Sequence, residues 1–429
     1  MNYYMATLPD RIDDADLQSQ NTPETFWRLL DLTPSAAEWQ IAGRQALDCF
    51  AGLPFAATLS DPLDVFPSVL GEGQFGPRHW QLSRGKQLYY QLVRPVLPQR
   101  FRPLIRHIIR RRQAGRALLN WPIEDRFVRF QSEWLRNILI NQGHTTARYI
   151  RLWPSGKRFA FVLTHDVEAQ AGQQFVREVA ALEERYGFHS SFNFVPEEYR
   201  VDHDLLRELR ARGFEVGVHG LTHDGKLFLS KKDFERKAKR INAYFQSWDA
   251  VGFRSPLTHR HPQWMQALHM EYDSSFFDTD PYEPIPGGTL SIWPFFLGHF
   301  VELPYTLAQD HTLMVTLGEA TPRLWLDKVD FIARYCGLAL VNTHPDYLKK
   351  NNHLAIYETF LQRMRDRTDH WHALASEVAR WWRKRASAQV QWEQNQWSVA
   401  GLSGATIGEV RLDAAKQSDI GGVPRGLTF

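Results

Sequence analysis

Four short stretches of this sequence place proton-transferring and metal-ligating side chains directly after apolar runs. LTHDVE carries His165, Asp166 and Glu168; VHGLTHDG carries His219 and His223; FRSP carries Arg254; NTHPDY carries His344 and Asp346. Carboxylates and imidazoles exchange protons near neutral pH and ligate divalent ions, and a guanidinium beside a carboxylate holds it ionised. Each stretch alone is weak evidence. With 17 histidines in 429 residues, chance supplies about 0.7 His-x-x-x-His pairs, and a histidine after a strand is more often structural. Their shared placement is the signal.

The elements that must position these residues follow from periodicity. FAFVLT, HSSFNFV, FEVGV, VGFRS, FVELPY and LALVNT read as strands. GQQFVREVAALEERYG, DHDLLRELRARG, KKDFERKAKRINAYFQ, HPQWMQALH, TPRLWLDKVDFIARYCG and NHLAIYETFLQRMRDR read as helices, and Gly187, Gly213 and Gly337 close three of them. This βαβα rhythm over residues 156–385 predicts an α/β fold, a distorted (β/α) barrel of about seven parallel strands with helices outside. In such a barrel the carboxyl ends of the strands meet on one rim, and all four stretches fall there.

The order of these motifs resembles the polysaccharide deacetylase family, the NodB-homology domain, whose members hydrolyse N-acetyl or O-acetyl groups on sugars. LTHDVE, HGLTHDG, FRSP and LVNTHP match its acidic, His-x-x-x-His, Arg-x-Pro and late-histidine motifs, and EYDSSFF around Asp273 resembles a further stretch. The resemblance covers a little over half of the chain. It implies Asp166 as catalytic base, Glu168, His219 and His223 as ligands of one divalent ion of the zinc type, Arg254 holding Asp166 ionised, and His344 protonating the departing amine.

The first motif departs from the commonest form, Thr-Phe-Asp-Asp-Gly, because a gap-free match puts Val167 at the ligand position. The Asp-x-Asp form of the family puts Glu168 there instead, and in extended backbone residues 166 and 168 share a face. The rival assignment, Asp166 as ligand with no base, stays open. His165 stands where an aromatic is usual and reads as packing or as support behind the site. Asp346 reads as a tuner of His344 or as a turn residue. A helical turn after the third strand would put His219 and His223 on one face. Phe276, Phe277, Tyr282 and Trp293 are candidates for stacking on a sugar ring.

Composition limits the partners. A formal net charge of +3 gives no general attraction for nucleic acid. Cys49 and Cys336, the two cysteines, are far apart and in no ligand spacing. A signal-like start and a membrane-spanning apolar run are both missing from the sequence, which predicts a cytoplasmic protein.

Residues 1–155 read as a partly helical extension. Within it, residues 103–116 form a basic amphipathic segment that suits an anionic membrane surface, an acidic glycan or docking on the barrel. Residues 386–429 read as a small β extension. The function expected is a metal-dependent hydrolase removing acetyl from an N-acetylated sugar, such as a nucleotide- or lipid-linked precursor in polysaccharide biosynthesis. The alternatives are a hydrolase of another non-peptide C–N bond and a catalytically degenerate carbohydrate-binding protein.

Overall fold

The structure is a computed structural model that describes residues 17–75, 84–89, 92, 115, 117–393, 396–413 and 427–428. Its strands in chain order are β1 (Thr146–Ile150), β2 (Phe159–Val167), β3 (Ser191–Phe194), β4 (Glu215–Val218), β5 (Gly252–Phe253), β6 (Tyr272–Asp273) and β7 (Phe295–Leu297). After these come β8 (Phe300–Glu302), β9 (Leu338–Thr343), β10 (His370–His372), β11 (Gln389–Glu393), β12 (Gln396–Ala400), β13 (Ile407–Leu412) and β14 (Leu427–Thr428).

β2 organises the main sheet. All nine of its residues are buried, as expected of a central parallel strand covered on both faces. β9 pairs along one side of it; on the other side β10 pairs with its first half and β3 with its second. From β3 the sheet continues through β4, β5, β6 and β8 to β7. Every pairing is parallel except the β7–β8 hairpin. Irregular backbone after β8 closes the curl: Thr306 and Leu307 N–H groups both donate to Leu340 O of β9, each at 3.1 Å. The expected (β/α) barrel is therefore present. Among the described residues its nine strands exceed the predicted number because β6, β7 and β10, with only two or three residues each, are too short to read from the sequence.

Helices Val176–Arg185, His203–Ala211, Lys231–Ser247, Arg323–Arg334, His353–Arg365 and Ala375–Ala386 carry apolar stripes to the sheet. In Lys231–Ser247 the stripe is Phe234, Ala238, Ile241 and Phe245, and the Ser230 hydroxyl caps the start by accepting from Asp233 N–H. His203–Ala211 ends at Gly213, whose φ of 90° is the left-handed conformation that stops a helix.

The amino-terminal extension is partly helical and shares this core. Helix Ala36–Arg44 crosses Arg126–Asn141, with Trp134 Nε1 donating to Trp39 O at 2.7 Å. The basic segment predicted at 103–116 lies outside the described residues, apart from residue 115. The tail forms β-structure, as its alternation indicates, but its partner is unexpected. β13 pairs antiparallel with β1 over five residues, so a strand inside the extension receives the tail. Among the described residues no helix is long and apolar enough to cross a membrane.

Candidate active site

Asp166 is set by the alternation of β2. Thr164 and Asp166 point into the barrel mouth, while His165 points out to the helices. Across the sheet Asp166 is in register with Asn193, which is in register with Gly217. A Cβ at Gly217 would stand 2.1 Å from Asn193 Oδ1, so the missing side chain makes room for the amide. Asn193 then donates to Asp166 Oδ1 at 3.1 Å, and Asn342 of β9 donates to Oδ2 at 2.8 Å. Arg254, fully buried after β5, places Nε 3.4 Å from Asp166 Oδ1 and donates from Nη2 to Thr164 Oγ1. Burial raises the Asp166 carboxyl, but His219, Arg254 and His344 outweigh it and hold it below the usual carboxylate range.

Glu168, His219 and His223 bring one ligand atom each within 4.8 Å of one another. Glu168 Oε1 is 2.9 Å from His223 Nε2 and 4.0 Å from His219 Nε2. His219 Nδ1–H donates to Arg254 O at 2.9 Å, which fixes the tautomer and leaves Nε2 as a lone-pair donor. That Nε2 is buried and lacks a hydrogen-bond partner among the described residues. Burial drives the His219 imidazole down to about 4, so it is neutral at physiological pH. A buried, neutral, unpartnered imidazole facing a carboxylate and a second imidazole fits a divalent ion.

The loop after β4 does not enter the expected helical turn. It bends at Gly220, whose φ is 68° and whose Cβ would stand 2.4 Å from Pro256. The His-x-x-x-His and Arg-x-Pro motifs thus interlock through a glycine and a proline. The His223 N–H is anchored on Glu198 Oε2 at 2.9 Å.

His344, after β9, places Nε2 3.5 Å from Glu168 Oε1. Its orienting partner is Asp310: Nδ1–H donates to Oδ1 and the backbone N–H to Oδ2, each at 2.7 Å. Burial alone would lower this imidazole, but the Asp310 and Glu168 carboxylates raise it well above its ordinary value. Of the two readings of Asp346 the geometry favours the turn residue, since it pairs with Lys350 at 3.5 Å.

His165 is packing and support. Its ring stacks on Phe192 at 4.5 Å and bridges Thr343 Oγ1 and buried Glu183, each at 2.7 Å. Trp293 is not in the site, because its indole is buried beside Phe26 and donates to the Tyr335 and Cys336 carbonyls at 3.1 Å. Phe276 and Phe277 are also buried, beneath the Arg260 guanidinium. Tyr282 turns its ring against Trp121 at 5.2 Å and is outside the lining of the cleft.

These motifs line a cleft of about 130 Å³ whose remaining surface the sequence reading missed: Ser255, Thr258, Glu283, Gln309, His311 and Tyr347 among others. Glu283 is buried, accepting from Thr258 Oγ1 at 2.7 Å and from Gln309 Nε2 at 2.8 Å. The Thr258 carbonyl accepts from Arg260, which forms a fully buried ion pair with Glu72 of the amino-terminal extension. Neither Glu283 nor Asp310 sits in a recognisable motif.

No family model matches the chain, and no curated protein does. Solved structures do. A polysaccharide deacetylase structure from Mycobacterium smegmatis aligns at 19% identity and a TM-score of 0.45, over 54% of this chain and 93% of its own. One from Pseudomonas aeruginosa PAO1 aligns at 16% and 0.45, again over 54% and 93%. PuuE allantoinase aligns at 13% and 0.43, over 53% of this chain and 91% of its own.

Proposed function

We propose that this protein is a zinc-dependent deacetylase of an N-acetylated sugar. One observation carries the reading: a carboxylate, a two-histidine-one-carboxylate ligand set and a charged histidine share one cleft. Glu168, His219 and His223 would hold the ion, which supplies Lewis acidity toward the acetyl carbonyl.

Asp166 serves as base, since it is ionised, fixed by two amides and one guanidinium, and within 4.0 Å of His219. It takes a proton as water adds to the carbonyl carbon. His344, kept protonated by Asp310, gives a proton to nitrogen as the C–N bond breaks. The products are acetate and an amino sugar. Asp310 does for His344 what the buried acid of a catalytic triad does for its imidazole: it fixes the tautomer and stabilises the cation.

The test is acetate release from free, oligomeric, nucleotide-linked and lipid-linked N-acetylhexosamines, with and without a chelator. Zinc-dependent release, lowered about 10³-fold or more in Asp166→Asn at unchanged zinc content, is the expected result. Release that survives both metal removal and the substitution overturns the reading.

A further inference from the structure

The cleft contains a carboxylate that this mechanism does not use. Glu283 is 4% exposed and comes from the loop between β6 and β7. Each of its oxygens accepts one hydrogen bond, from Thr258 Oγ1 and from Gln309 Nε2. A carboxylate has about four acceptor positions; the buried Tyr305 hydroxyl also interacts with Glu283, so one remains for a ligand. Nearby in the lining, the Ser255 hydroxyl is fully buried and has no hydrogen-bond partner among the described residues. Buried polar groups in native proteins are nearly always satisfied, so an orphan hydroxyl in a cleft points to a ligand.

The Glu283 carboxylate is also wired to the catalytic end. Gln309 Oε1 lies 3.4 Å from Asn342 Nδ2, which donates to Asp166. Its position is held from the other side through Thr258 and the buried Arg260–Glu72 pair. An acceptor fixed from both sides keeps its geometry when a ligand binds.

We propose that Glu283, with Ser255, is the specificity determinant of the cleft and accepts hydrogen bonds from ring hydroxyls of a neutral N-acetylhexosamine. This rests on the deacetylase reading. A buried carboxylate is a strong acceptor for hydroxyls. It disfavours a sugar that brings a carboxylate to the same place, because like charges cannot share a desolvated wall. The class selected is therefore the neutral hexosamine over its acidic derivatives.

The experiment compares the zinc-loaded full-length protein with Glu283→Gln, a near-isosteric change that keeps an acceptor for Thr258. The probes are N,N'-diacetylchitobiose and N-acetylmuramic acid. For the neutral sugar the expected result is a KM raised about tenfold or more, kcat changed less than about threefold, and unchanged zinc content. The preference for neutral over acidic sugar should fall about tenfold. A KM and a preference both within twofold of wild type overturn the proposal.

Should wild type release acetate from neither probe, these two sugars are not its substrates, and the deacetylase reading is decided on the nucleotide- and lipid-linked sugars. Calorimetric titration with N,N'-diacetylchitobiose then tests the wall separately. Binding weakened about tenfold in Glu283→Gln supports it, and binding that is absent or unchanged overturns it.

Discussion

The two parts of the cleft are built in different ways. Asp166, Glu168, His219, Arg254 and His344 follow directly from the ends of β2, β4, β5 and β9, and the sheet register places them. Thr258, Glu283 and Gln309 hang on loops and are fixed by side-chain bonds to one another, with Glu72 of the extension as the outer anchor, while Ser255 beside them is held through its backbone N–H on Ser275 Oγ. A sheet cannot change one side chain's position without moving its neighbours, which suits chemistry needing sub-ångström placement. Loops can be rebuilt without touching the barrel, which suits selection among substrates. On the proposed function, turnover belongs to the strand ends and recognition to the loops.

The sharpest way to break that division is to remove the strand-end histidines. His219→Ala with His223→Ala should abolish bound zinc and lower acetate release by about 10⁴-fold or more, while the fold persists by circular dichroism. Retained zinc or retained turnover would move the chemistry elsewhere.

Asp310 tests the boundary, since it is a loop residue serving a strand-end one. His344 must be protonated to act as acid, and Asp310 raises its pKa, so the wild-type rate should fall only as pH climbs well above 6.5. Asp310→Asn removes that support and should bring the alkaline limb of kcat down by about one pH unit or more, costing roughly tenfold at pH 8. An unmoved limb would mean that His344 is not the acid. The smallest effect belongs to Asp346. Asp346→Asn should change kcat/KM by less than about twofold, because its partner is the solvent-facing Lys350. A large loss there would restore it as the tuner of His344.

The difference in construction also governs what the sequence reveals. β2 opens on an unbroken apolar run, residues 159–163, and the polar cluster that follows it is conspicuous for that reason. The histidine pair and Arg254 follow strands in the same manner. β6, β7 and β10 fall below the four to eight residues over which alternation can be read. Asp310 opens an irregular turn of the π type at His311–Thr316, and Glu283 lies in a proline-rich loop, so neither has a pattern to announce it. Trp293 was over-read because aromatic character does not say which way a ring points. Asp346 is close to His344 in the chain, but it is Asp310, 34 residues away, that makes the hydrogen bonds to it.

The antiparallel ladder joining β13 to β1 has a practical consequence for dissecting the molecule. Severing the chain just before β2 would strip β13 of its mate, and clipping the tail after Ala386 would strip β1. Either cut uncovers a row of unsatisfied main-chain donors and acceptors, the kind of sticky margin that recruits other chains. Fragments made by trimming to the barrel alone should therefore clump, and keeping the two flanking strands together should cure it.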